Sequence, residues 1–396
     1  MPTIYDRLGV RPIINACGPN TRLGGAIMAE PVVRAMAEAS QHCVDMFELQ
    51  ARASAVIAEI TGAEAGLVTS GASAALLVGL AACVTGLDPA RMNRLPDTTG
   101  MRNEVIVARS QRNFYDRAIR SLGVEVVEVG ISDRFSDAGV RDTEAWEIAA
   151  AITERTAAIY YLAKPHSLPA LTEVAAVAHA RGVPVVVDAA AQLPPRDNLR
   201  RFLGEGADLV AFSGGKAIGG PQASGILAGR KDLVTAATLQ QLDMDVFFEL
   251  WEPPPGLIDK AALPGLPHHG IGRPCKAGKE EIVGLLTALR LFSEDDGERS
   301  ARWRRLADSL LTALRELPGA VVGLAADRRG TGVPLVEVRL AAPGDGFAVV
   351  RRLEQGEPSV RVNLSRVREG VLLLSPVCLL EDQIAAIAQK LRAALG

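Results

Sequence analysis

Lys216 is the residue with the clearest chemical capacity, set in the stretch ADLVAFSGGKAIGGPQASG, residues 207–225. A lysine amine forms a Schiff base with a carbonyl when it is desolvated and within reach of one. Most lysines are solvent-exposed and need no special surroundings. Lys216 has them. The apolar run Leu209–Phe212 before it reads as a buried strand, and five of the twelve residues 214–225 are glycine, which would let another molecule approach the backbone closely. Asp188 is the second such residue, at the end of the apolar run Val185–Val187. A carboxylate leaving an apolar strand needs a cationic partner, although an Asp there also reads as a helix N-cap. A protonated pyridine nitrogen is one such partner. Asp on that nitrogen with Lys on the aldehyde is the arrangement that holds pyridoxal 5′-phosphate (PLP). The third piece is VTSGASAALLVGL, residues 68–80, where Ser70-Gly71-Ala72-Ser73 opens an Ala/Leu helix. Free N–H groups at a helix start make a phosphate cradle, though a Ser N-cap is common without a ligand. The three pieces supply anchors for a phosphate, a ring nitrogen and an aldehyde.

These anchors need rigid elements beneath them. Strand signals fall at Gly66–Thr69, Val105–Ala108, Val124–Val129, Ala158–Leu162, Val183–Val187 and Leu209–Phe212. Ala-rich helical stretches lie between them at Ala72–Val84, Asp116–Leu122, Thr143–Ile152 and Thr172–Ala180. Such alternation predicts βαβ units and an α/β fold with a mainly parallel sheet. Ligands of open α/β sheets sit at the C-terminal ends of strands, where Asp188 and Lys216 fall. Residues 241–281 are rich in Pro and Gly and read as an ordered crossing loop or lid. Helices are expected at Glu280–Phe292 and Ala301–Leu317. Strands near Leu335–Leu340, Ser359–Leu364 and Gly370–Leu374, with a last helix at Glu381–Leu395, predict a smaller α+β domain. The expected division is 1–50 as a segment near the small domain, 51–265 as the large cofactor-binding domain, and 266–396 as crossing loop, linking helix and small domain.

The bulk composition narrows the class. A chain of 396 residues suggests two or three domains. A net charge of −3 over that length gives no electrostatic reason to expect nucleic acid or an anionic membrane. No apolar run approaches the roughly 18–20 residues that span a bilayer, and the N-terminus MPTIYDRLGVRP shows no signal-peptide core. Cysteines 17, 43, 83, 275 and 378 form no CxxC pair and no metal-ligand spacing. A reduced, cytoplasmic compartment is expected.

The segments VPVVVDAA, FSGGKAIGGPQASG and GLPHHGIGRPCKAGKEEIVGL resemble fold-type I PLP enzymes of the selenocysteine synthase (L-seryl-tRNA selenium transferase) superfamily. The last two look closest to its D-glucosaminate-6-phosphate ammonia-lyase-like branch. The resemblance runs from about Ile13 to the C-terminus. It implies that Lys216 carries the Schiff base and that Asp188 pairs with the pyridinium nitrogen. Gly71, Ala72 and Ser73 would hold the phosphate, with a hydroxyl from Ser213, and Ala190 would also line the cofactor. A ring-stacking residue is expected within RSQRNFYDR, where relatives often have His or an aromatic. Here the slot falls on Arg112, Asn113 or Phe114, and Asn113 is the candidate cofactor contact. Related aminotransferases carry Gln three positions after the Asp; here that position is Ala191, and Gln192 is one later. On the substrate side the resemblance points to Arg361 in SVRVNL for a carboxylate. Arg273 and Lys276 of the crossing loop would reach a phosphate or acid group, in the same or a neighbouring subunit. His268 and His269 are acid–base candidates, but adjacent loop side chains would not both point inward.

The chemistry implied is a lyase acting on an amino acid or amino-sugar acid. Lys216 would take the α-proton, a β-substituent would leave, and the enamine product would hydrolyse to a keto acid and ammonia. The alternatives are selenium transfer, transamination or racemisation, and a PLP-binding protein without turnover. Selenium transfer is the least attractive, because the sequence shows no basic surplus for RNA and no N-terminal tRNA-binding segment like that of selenocysteine synthases is expected. Fold-type I enzymes generally build their site at a subunit interface, so a homodimer or larger homo-oligomer is expected.

Overall fold

The computed structural model describes residues 3–131, 142–328 and 330–396. The chain divides into a larger unit, Met28–Ser293, and a smaller one, Met1–Ile27 with Glu294–Gly396. These limits differ from the expected 1–50, 51–265 and 266–396. Residues 28–50 and 266–293 join the larger unit because of helix packing, which the Pro/Gly content of the loop obscured. The helix Glu30–Ala39 packs on the helix Lys279–Ser293. A Cβ at Gly284 would lie 2.6 Å from Met36 Cγ.

Strand β1 (Ile13–Ala16) belongs to the smaller unit, and seven strands of the larger unit follow. They are β2 (Ala65–Thr69), β3 (Glu104–Ala108), β4 (Glu125–Val129), β5 (Thr156–Leu162), β6 (Val185–Asp188), β7 (Leu209–Ser213) and β8 (Gly225–Gly229). Their order across the sheet is β2-β8-β7-β6-β5-β3-β4. Strands β3 to β7 pair in parallel, while β8 runs antiparallel to both neighbours, β7 and β2. The mainly parallel sheet is therefore present, with one reversed strand that the sequence pattern did not reveal. GILAG reads as the tail of a glycine loop, and only its pairing on both edges makes it a strand.

Alternate residues of the inner strands feed opposite faces. Val105, Val107 and Tyr160 pack with Leu76 and Leu80 on one face. Ile106, Ile159 and Val187 pack with Ile57 and Ile282 on the other. Both faces are covered, so the inner strands are continuous apolar runs. The helix Ala72–Thr85 is apolar all round because nearly all of it is buried. Between the helices Lys231–Gln241 and Lys279–Ser293 the chain holds only short turns, at Phe248–Leu250, Lys260–Ala262 and Arg273–Cys275. They are nonetheless anchored: Ile271 N–H donates to Gln240 Oε1 at 3.2 Å, and Cys275 C=O accepts from Ser70 N–H at 3.3 Å.

In the smaller unit β9 (Ala320–Leu324), β10 (Val336–Leu340) and β12 (Val371–Leu374) form an antiparallel sheet in the order β12-β10-β9. Strand β1 pairs in parallel with β11 (Ser359–Val362), which ties residues 3–27 to this unit. Leu306, Leu310, Val338, Leu353, Val360 and Leu391 are among its core. No helix of the described residues is long and apolar enough to cross a membrane.

Candidate active site

The ends of β2, β5, β6 and β7 meet along one edge of the larger sheet. Register places Asp188 beside Ala211, Ser213 beside Gly225 and Thr69 on the other side of Gly225. The sequence elements carrying the three anchors thus meet at one edge.

Asp188 ends β6 and is 5% exposed. Its Oδ1 accepts the Ala190 N–H at 3.0 Å, and its Oδ2 accepts the Tyr160 hydroxyl at 3.0 Å. Burial pushes the carboxyl above its ordinary value. The two hydrogen bonds and the charges of Lys216 and Lys164 pull the other way. Burial prevails, which leaves an acid that gains from a cation placed against it.

Lys216 is partly buried on the turn Gly214–Ile218, immediately after β7. Its backbone, φ −102° and ψ −122°, breaks the helical series of that turn. Gly214 N–H donates to Ser224 C=O at 2.9 Å, and Gly219 N–H donates to Lys216 C=O at 3.0 Å. The glycines beside Lys216 do not leave open room, which corrects the sequence-based expectation. A Cβ at Gly214 would sit 2.2 Å from Ser224 Oγ, and one at Gly215 would sit 2.6 Å from Gln222 Cα. They let the returning segment 221–224 lie against the lysine turn.

The helix Ala72–Thr85 starts at Gly71, which has φ +140° and no side-chain cap. Thr69 Oγ1 donates to Gly71 C=O at 2.9 Å, and no side chain caps the first helical N–H groups. Space at the Gly71 Cβ position is open, with no heavy atom within 4 Å. Ser73 is exposed and Ala72 buried. Uncapped N–H groups at the positive end of a 14-residue helix are the donor set a phosphate requires.

Tyr160, which sequence reasoning passed over, stands at the centre of this edge. It is 1% exposed and accepts from Asn113 Nδ2 at 3.3 Å while donating to Asp188. The available signal was a hydroxyl-bearing ring in the otherwise apolar run of β5. The stacking slot resolves residue by residue: Arg112 is ion-paired to Asp116 and Glu128, Phe114 is 95% exposed, and Asn113 faces Tyr160. Gln111 is also buried, and its Oε1 accepts the Leu162 N–H at 2.9 Å, fastening this loop to the end of β5.

The other candidates are dispersed. Ser213 is partly buried at the end of β7. Ala191 is exposed and Gln192 partly buried. In the crossing loop Arg273 binds Asp243 at 2.5 Å, and His269 Nδ1 lies 4.0 Å from the same carboxylate. Asp243 is held below the usual carboxylate range, first by the Asp245 N–H and then by Arg273. Lys276 and His268 are exposed, with the His268 N–H donating to Asn93 Oδ1 at 2.6 Å. Arg361 belongs to the smaller unit, where it pairs with Glu354 at 2.8 Å, and its Nε is buried without a partner. No cluster of three or more His, Cys, Asp or Glu placed to hold a metal occurs among the described residues.

A parallel sheet with one reversed strand, an acid at the end of β6, a lysine after β7 and an uncapped helix start define fold type I of the PLP-dependent enzymes. The sequence profile of the L-seryl-tRNA selenium transferase family matches residues 13–247, and the chain belongs to that family. It is 32% identical to a 5′-C-glycyluridine monooxygenase-decarboxylase from a Streptomyces species, covering 98% of this chain and 90% of that protein. It is 31% identical to the D-glucosaminate-6-phosphate ammonia lyase of Salmonella typhimurium, covering 99% and 97%. A solved structure of a D-glucosaminate-6-phosphate ammonia-lyase superposes with TM-score 0.80 at 30% identity, covering 100% of this chain and 98% of that one.

Proposed function

We propose that this protein is a PLP-dependent lyase that removes ammonia from an amino acid or amino-sugar acid. The observation that carries the proposal is the buried Asp188 carboxyl, held by the Tyr160 hydroxyl and the Ala190 N–H, on the sheet edge that also bears the uncapped start of the helix Ala72–Thr85. This donor set fits the cofactor: N–H groups for its phosphate, an acid for its ring nitrogen, an amine for its aldehyde. The similarity to the ammonia lyase over nearly the whole chain supports the reaction class.

PLP, when bound, supplies a ring that accepts electrons from the substrate α-carbon. The rest falls to the chain's own residues. The N–H groups of the Gly71–Ser73 turn and the Ser213 hydroxyl hold the phosphate, with Ala190 and Asn113 beside the ring site. Asp188 keeps the ring nitrogen protonated. Lys216 would hold the aldehyde, and its amine would take the α-proton of the substrate. Departure of a β-substituent leaves an enamine, whose hydrolysis gives the keto acid and ammonia. Arg361 is the proposed carboxylate contact, and Arg273 and Lys276 the proposed contacts for an acidic or phosphate group.

A screen of D- and L-β-hydroxy amino acids and amino-sugar acids tests the reaction, reading ammonia, keto acid, carbon dioxide and oxygen uptake. Ammonia with keto acid and no second substrate is the expected result. Turnover only with oxygen and carbon dioxide release would replace the lyase by chemistry of the kind named for the Streptomyces relative. A homodimer or larger homo-oligomer in the cytoplasm completes the proposal; the five cysteines, none in a disulfide, are in keeping with a reducing compartment. Sedimentation showing a monomer at micromolar concentration would remove the oligomer.

A further inference from the structure

Tyr160 and Tyr161 are neighbours on β5, yet their hydroxyls are spent differently. Tyr161 donates to backbone, the Pro169 C=O at 3.1 Å, as an ordinary buried phenol does. Tyr160 points to the opposite face and donates to the Asp188 carboxylate at 3.0 Å. The core alone would accept phenylalanine there.

The direction of that bond is set by Asn113. Its Oδ1 accepts the Tyr115 N–H at 2.7 Å. Its own N–H donates to Asp116 Oδ1 at 3.3 Å, and its C=O accepts the Asp116 N–H at 3.2 Å. With Oδ1 committed, Nδ2 is the end that faces Gln111 C=O at 3.2 Å and the Tyr160 oxygen at 3.3 Å. An amide NH2 only donates. The Tyr160 oxygen therefore accepts on that side, and its single proton goes to Asp188. Arg112, ion-paired to Asp116 and Glu128, braces the loop that carries Asn113.

We propose that Asn113 and Tyr160 are positioning residues that fix the orientation and charge of Asp188 as the partner of the cofactor's ring nitrogen. The inference rests on the PLP reading above. A hydrogen bond donated to the charged form of an acid favours that form. Tyr160 donates to Oδ2 and the Ala190 N–H to Oδ1, so both oxygens are oriented while lone pairs remain for a third donor. Burial keeps the Tyr160 phenol neutral, so it remains a donor across the working pH range.

The test loads wild type and Tyr160→Phe with PLP 15N-labelled at the ring nitrogen and reads its chemical shift. It also compares their affinities for PLP and for 1-deazapyridoxal 5′-phosphate, whose ring nitrogen is replaced by carbon. In Tyr160→Phe the 15N signal should move from pyridinium toward neutral pyridine, as the proton shifts to Asp188. The preference for PLP over the deaza analogue should fall about tenfold or more, the range for losing a hydrogen bond to a charged group. Asn113→Ala, which keeps the phenol but frees its proton, should move both readouts the same way by less. A merely structural tyrosine would weaken both ligands equally. An unchanged 15N shift and an unchanged preference in a folded Tyr160→Phe protein overturn the proposal. Wild type that prefers neither ligand, or binds neither, overturns the cofactor reading itself, a result seen before any variant is made.

Discussion

Gly225→Ala probes the least visible contact of the site. An added Cβ would lie 2.4 Å from the Gly71 carbonyl carbon, 2.6 Å from Ala72 N and 2.8 Å from Gly71 Cα. All three are backbone, so no side chain can rotate aside. Ordinary contact begins near 3.4 Å, and restoring it requires a movement of about 1 Å. Strand β8 is poorly placed to supply it, because Gly225 is paired to Ser213 on one side and Thr69 on the other. The start of the helix Ala72–Thr85 must therefore retreat, and its uncapped N–H groups with it. Overpacking of this kind costs roughly 1–3 kcal/mol of stability. A donor displaced by about 1 Å passes beyond good hydrogen-bond geometry, and losing one charge-assisted bond costs about 1.5–3 kcal/mol. PLP affinity should fall roughly ten- to a hundredfold. Absorbance titration of the cofactor-free protein with PLP measures this, with pyridoxal, which lacks the phosphate, as control. The loss should be large for PLP and small for pyridoxal. If a folded Gly225→Ala protein binds PLP as wild type does, the helix start is not the phosphate site.

Three further substitutions address the other anchors. Lys216→Ala should retain cofactor noncovalently yet lose turnover by at least about a hundredfold; borohydride labelling of wild type should map to Lys216, and a label elsewhere sinks the assignment. For Asp188→Asn the expectation concerns stability without cofactor. Burial raises the Asp188 carboxyl in the fold. A raised acid favours the folded state below its unfolded-state value, and that contribution is lost as the pH climbs through the folded value. The melting temperature of Asp188→Asn relative to wild type should therefore rise as the pH is taken above the ordinary aspartate value of about 4; thermal scans showing it fall would mean that the bonds from Tyr160 and Ala190 outweigh burial. Arg361→Gln should raise KM about tenfold with kcat nearly unchanged, as expected for a substrate contact that is equal in ground and transition states. Steady-state kinetics with neither constant altered would remove Arg361 from substrate binding.

The parts of this architecture that a sequence discloses are those written locally. Val185–Asp188 and Leu209–Ser213 announce buried strands by apolar runs, and the groups that follow them fall at strand ends because the chain must leave the sheet there. Ala-rich stretches likewise expose helices such as Ala72–Thr85 and Leu171–His179. What stays hidden depends on residues far apart in the chain. Gly225 is one glycine among five until β8 is known to run between β2 and β7 and to press on Gly71. Gly214 and Gly215 look like space for a ligand until segment 221–224 is seen folded back upon them. Tyr160 is an ordinary strand aromatic until its hydroxyl is found on the Asp188 carboxylate of the next strand. In each case the composition is right but the reason for it is tertiary. The same distinction bears on catalysis. Asp188 is a group that many proteins possess, whereas the hold on its two oxygens comes from the Tyr160 hydroxyl and the Ala190 N–H. Specificity among the reactions open to one carbanion depends on small differences in such positioning. If Lys216 and Asp188 act as proposed, the chemistry of this chain should therefore be sought in the residues that hold them.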